Sequence, residues 1–181
     1  MKRMLTRGSL LVAAATLAAS GIAASPGGAV THLQTCKSLK GSVTISPGIS
    51  AVPHAQTAKA TSTLTGCAPV KATGGSGTLT GALKLPANSS CTGLATGKQK
   101  LGLSATTKWK NGKTSTYALT ATTGSGSNVL VATIAGKVSK GLFAGKKVTG
   151  QIKVAPAKGQ NCATVPVTKL TFTNTKPLVI G

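Results

Sequence analysis

An all-β fold, an antiparallel β-sandwich of about eight to nine short strands, is what this sequence predicts. Three observations carry it. Apolar residues alternate with Thr, Ser and Lys at period two, turn signals recur roughly every ten residues, and no helical period appears past the first 29 residues. The strongest local evidence is Leu101 to Ala121, two alternating runs folded back at Lys110-Asn111-Gly112-Lys113. A two-residue turn would send the leucines of the two runs to opposite faces. A three-residue loop with Gly112 in the left-handed region pairs Leu103 with Leu119, Ala105 with Tyr117 and Leu101 with Ala121. One face then carries Leu101, Leu103, Tyr117 and Leu119, with Trp109 near its end, and Ser104, Thr106, Lys108 and Lys110 face water.

The chain begins with a basic start (Lys2, Arg3, Arg7) and an apolar run from Leu10 to Ala19, too short to span a bilayer and followed by small residues. This reads as an export signal cut after Ala23, Ala24 or Ala29. Cys36 lies well past the run, which argues against lipid attachment. Residues 1–29 are therefore assigned to the signal and a short Ser-Pro-Gly-Gly linker, and residues 30–181 to one secreted domain, with no transmembrane segment once the signal is removed.

Within the domain, Leu39 to Ser46 is the first strand, with Val43 and Ile45 on one face and Pro47-Gly48 ending it. Ala60 to Gly66 follows, then a flexible turn at Gly74-Gly75-Ser76-Gly77, then Thr78 to Leu85 with Leu79, Leu83 and Leu85 aligned. After the central hairpin, Asn128 to Lys137 is apolar on both sides, with Val129 and Val131 opposite Leu130, Ala132 and Ile134, which predicts an interior strand. Leu142 and Phe143, in a Gly-bounded turn, are expected to plug one end of the core. Val148, Gly150, Ile152 and Val154 alternate cleanly with polar residues; Val167 to Thr173 and a short Leu178-Val179-Ile180 close the series. An apolar residue, a small residue and Gly recur at Gly66, Gly81, Gly136 and Gly150, the mark of strand bends or bulges.

Four cysteines in an exported chain, with no Cys-x-x-Cys pair and with His32 and His54 lacking partners at ligand spacing, predict two disulfides rather than a metal site. If strands alternate up and down, Cys36 and Cys67 share one end and Cys91 and Cys162 the other, giving the pairs Cys36–Cys67 and Cys91–Cys162.

Charge decides the function classes. The chain has 21 Lys and Arg and no Asp or Glu. Three of those cations lie in the first seven residues; the other 18 are all lysine. Carboxylate acid–base pairs, aspartic dyads, calcium sites and Asp-dependent triads are excluded. No catalytic residue, metal ligand or cofactor site is assigned; His54 reads as a solvated loop residue, and no local motif marks a Ser-Lys dyad. Strand lysines such as Lys84 and Lys153 suit a solvated face that resists edge-to-edge pairing. The densest lysines, Lys108, Lys110 and Lys113 at one turn and Lys137, Lys140, Lys146 and Lys147 at the next, form a candidate polyanion site if both turns share one end. Anionic glycopolymers of the envelope or lipid headgroups are the partners this fits. Sequence-specific nucleic-acid reading is disfavoured, because past the signal there is no Arg to read a base edge. The expected role is a non-enzymatic secreted protein, cell-wall associated or extracellular, that binds anionic envelope polymers. The alternatives are a cationic effector acting on anionic membranes, and a structural module whose lysines serve only solubility.

A first Cys followed by GSVTISPGIS (41–50), TSTLTGC (61–67), GTLTGAL (77–83), WKNGKTS (109–115) and GLFAGKKVTG (141–150) resembles small secreted β-rich proteins of actinobacteria without an assigned function. The resemblance implies secretion and an immunoglobulin-like shape, and carries no active site.

Overall fold

The computed structural model describes residues 33–87, 89–90, 99–124, 130–161 and 164–181. The export signal, Val129, Cys91 and Cys162 lie outside these residues. The described strands are β1 (Gln34–Ile49), β2 (Thr57–Ala68), β3 (Ser76–Lys84), β4 (Lys100–Trp109), β5 (Thr114–Thr123), β6 (Leu130–Gly141), β7 (Lys147–Pro156) and β8 (Val167–Ile180), with a single helical turn, α1 (Val70–Thr73), between β2 and β3. Each strand pairs antiparallel with the next, and β8 returns to β1, so the sheet closes on itself. The antiparallel all-β expectation holds. The sandwich and its immunoglobulin-like shape do not, because the apolar faces cover one another inside a single rolled sheet rather than across two sheets.

Closure depends on the two long strands. Instead of ending at Pro47-Gly48, β1 continues past Pro47 to Ile49, which is buried and pairs with Val167. The two segments expected near the C-terminus are one strand, β8, long enough to pair with β7 on one side and β1 on the other. Where the β1–β8 register slips between Cys36 and Lys40, Asn174 clips the seam: its Oδ1 accepts from the Leu39 amide (2.9 Å) and its Nδ2 donates to the Lys37 carbonyl (2.8 Å).

Eight strands make a barrel whose interior is about wide enough for side chains alone. Inward positions are Leu39, Val43 and Ile45 on β1, Ala58, Ala60, Ser62 and Leu64 on β2, and Ala105, Trp109, Tyr117 and Leu119 on β4 and β5, all buried. Outward positions on β2, β3 and β5 are largely Thr and Lys, such as Thr61, Thr63, Thr78, Thr80 and Thr120, which suit an exposed pleated surface. A barrel has no interior strand, and so β6 is not one: Ala132 and Ile134 point in while Val131, 41% exposed and opposite Lys153, points out.

The central hairpin has the expected register, Leu101 with Ala121, Leu103 with Leu119 and Ala105 with Tyr117. Gly112 sits at φ 83°, and its amide donates to the Trp109 carbonyl (2.9 Å). Cys36 and Cys67 face each other directly across β1 and β2 and form a disulfide. Of the two bridges expected, this is the one within the described residues. The Gly74 turn is less loose than its composition suggests: Gly74 is a left-handed cap on α1, and Gly77 lies under Trp109, whose Cε3 would be 2.8 Å from a Cβ there. Of the four Gly trios expected to mark bends or bulges, Gly150 falls where the β7–β8 register slips and Gly66 has a φ of 61°, whereas Gly81 and Gly136 sit in unbroken ladders on both sides.

Candidate functional site

Alternation of direction puts the β2–β3, β4–β5 and β6–β7 connections at one end of the barrel, and hydrogen bonds lock them together. The Lys110 amide donates to the Ser76 carbonyl (3.0 Å), and Asn111 Nδ2 donates to the Ala72 carbonyl (2.8 Å). The Leu142 amide donates to the Thr114 carbonyl (2.7 Å), tying the β6–β7 turn to the start of β5. Beneath them Trp109 Nε1 donates to Ser115 Oγ (2.8 Å), which donates to the Leu142 carbonyl (2.7 Å). The Phe143 ring meets Trp109 edge-on at 6.3 Å. Leu142 and Phe143 therefore plug this end of the core, as expected from their turn.

On the outside of this end stand all seven lysines singled out from the sequence. Lys108, Lys110, Lys113, Lys137, Lys140, Lys146 and Lys147 are exposed. The register makes them neighbours across β4 to β7: Lys108 faces Thr114, Lys140 faces Thr116, and Lys137 faces Lys147 directly. Lys71, on α1, joins the same end through the Asn111 bond; sequence spacing gave no hint of it, because only the tertiary contact brings α1 to the β4–β5 tip. No acidic side chain exists to neutralise any of them. A surface of this kind attracts polyanions and raises their local concentration.

The interior is a second feature, and one that sequence periodicity did not reveal. A cavity of about 100 Å³ lies in the barrel, walled by residues including Val43, Leu79, Leu101, Leu119, Ile134 and Phe172. Toward the other end its lining passes to Leu83, Leu103, Ile152 and Val154, which are half-buried. At about 24 cal/mol per Å³, a cavity of this size costs on the order of 2 kcal/mol if nothing fills it. Ser62, Tyr117 and Thr123 are the hydroxyl-bearing residues of the wall. The Ser62 and Tyr117 oxygens are buried without a hydrogen-bond partner. Burial pushes the Tyr117 phenol above its ordinary pKa; the Thr107 and Ser115 hydroxyls beside it pull the other way, but neither meets it with hydrogen-bonding geometry, so burial prevails. Barrels that cross membranes carry an apolar band outside and a polar lumen. This one has the reverse polarity, Thr and Lys outside and an apolar lumen.

His54 is a loop staple rather than a freely solvated residue: its Nδ1 lies 2.8 Å from the Val52 carbonyl and its Nε2 lies 3.1 Å from that of Gly48. Among the described residues no group of three or more His, Cys, Asp or Glu gathers to hold a metal. No family model, no curated protein and no solved structure matches this chain.

Proposed function

We propose that this is an exported, non-enzymatic protein that associates with anionic polymers of the cell envelope through the lysine face at the hairpin end of its barrel. The observation that carries the reading is convergence: two turns separated in sequence present seven exposed lysines on one locked surface. Teichoic-type glycopolymers and polyphosphate match it, since both offer repeated phosphates at close spacing, and lysine binds phosphate as a point charge.

The test compares two charge-matched variants. One changes Lys108, Lys110, Lys137 and Lys147 to Gln; the other changes Lys40, Lys59, Lys158 and Lys169, which lie elsewhere on the barrel. Binding to poly(glycerol phosphate) is measured at 50 and 200 mM salt. The reading predicts steep loss with salt and a much larger loss for the first variant. Equal losses would reduce the interaction to bulk charge, and no binding at low salt would end the proposal. Leakage from anionic vesicles on addition of the protein would favour the effector role instead.

A further inference from the structure

We propose that the outer wall formed by β7, β8, β1 and β2 is a second anion-binding surface, so that one molecule holds two phosphate-bearing polymers at once and cross-links them. The inference rests on the reading of the lysine face as a polyanion site and adds a separate surface to it.

The register assembles this wall. Lys40 and Lys153 stand on either side of Thr173, and Lys59 and Lys169 stand on either side of Thr44. All four lysines and both threonines are exposed. Strand spacing puts the Cα atoms of each lysine pair about 10 Å apart, and the run from Lys40 to Thr44 on β1 sets the two pairs about 13 Å from one another. Thr44 and Thr173 each place a hydroxyl between two ammonium groups, so a phosphate laid over either pair meets charge and a hydrogen-bond donor together. The group exists only across the seam where β8 closes onto β1.

The wall is distinct from the lysine face. That face centres on β5 and β6 and the wall on β8 and β1, three strands away one way round the ring and five the other, so the two point in different directions. Uncharged positions separate them on both sides. Ala82, Ser104 and Ala118 lie between Lys59 and Lys137 in one row of the sheet, and Thr63 and Thr78 between Lys40 and Lys108 in another. Along β7, the outward residues between Lys147 and Lys153 are Thr149 and Gln151. With no acidic side chain in the protein, a polymer that neutralises one group leaves the charge of the other facing water. Two such surfaces on one rigid barrel hold a second polymer at high effective concentration beside the first.

The test loads the full protein onto immobilised poly(glycerol phosphate) at low salt, rinses it, and adds fluorescent poly(glycerol phosphate); retained label reports a second polymer. The parent should retain label. Lys40→Gln combined with Lys153→Gln should load nearly as well as the parent, because the seven-lysine face is intact, yet retain severalfold less label. The charge-matched pair Lys84→Gln and Lys100→Gln, at the far end of β3 and β4, should retain label as the parent does. Equal losses in the two variants would assign the second polymer to bulk charge and overturn the surface. So would normal loading without any label in the parent, and so would full retention by the Lys40 and Lys153 variant, which would trace the label to a second copy of the protein. In each of these cases the lysine face stands. Failure of the parent to load overturns the lysine face itself, and this inference with it.

Discussion

Lys137 stands directly opposite Lys147 in the β6–β7 ladder, and the chain contains no acidic side chain to separate their charges. Like charges directly across strands destabilise a sheet, whereas an opposite pair contributes about 0.2 to 1 kcal/mol. Lys147→Glu should therefore raise the unfolding midpoint in urea, by up to about 1 kcal/mol at low salt, while lowering affinity for poly(glycerol phosphate). The unaltered protein should gain stability as salt is added. A Lys147→Glu variant less stable than the parent would show that repulsion is not what this register costs.

The Cys36–Cys67 bridge spans a sequence separation of 31 residues. In the chain-entropy model, a loop of that length contributes about 3 to 4 kcal/mol, a large share of the 5 to 15 kcal/mol typical of a domain. Replacing both cysteines by Ala should lower stability by roughly that amount in urea titration, with the strand content by circular dichroism retained below the transition.

Ser115 links the indole of Trp109 to the Leu142 carbonyl inside the plugged end. Ser115→Ala strands a buried donor and a carbonyl together, at a cost of about 1 to 3 kcal/mol. Trp109 is the sole tryptophan, so its fluorescence reports the change at this end directly. Its emission should shift to longer wavelength as the plug loosens.

Tyr117, the one tyrosine, is held neutral by burial, so its pKa in the folded chain is above that in the unfolded chain. The sign follows: its contribution is fully present below about pH 10, the unfolded value, and is lost as pH rises through the higher folded one. Tyr117→Phe should be close to neutral at pH 7, since the hydroxyl has no partner to lose, and should lose less stability than the parent above pH 10. Every other group is the same in both proteins, so the difference isolates Tyr117. Absorbance at 295 nm should show tyrosinate appearing together with unfolding.

The hairpin was legible because its evidence is local. Only a three-residue loop brings Leu103 to Leu119, and Asn-Gly supplies the left-handed turn. The Cys36–Cys67 pair was legible for a related reason, since alternating strand direction alone places both at one end. The lysines at Lys108 to Lys113 and Lys137 to Lys147 were visible as clusters, but their meeting depends on the Leu142 to Thr114 bond. Val131 misled because apolarity on both sides of a strand signals burial only when a second layer exists to cover it.

From the sequence by itself came the strand periodicity, the registry of β4 with β5, one disulfide and a charge of a single sign. Period two states which side of a strand leaves water, not whether a second sheet or the same sheet curling round will cover it. That choice was made by contacts far apart in the chain, such as Leu39 with Asn174 and Ile49 with Val167, which close β8 onto β1. The lumen and the shared lysine face exist only because of that closure, since each is assembled from strands that no local pattern connects.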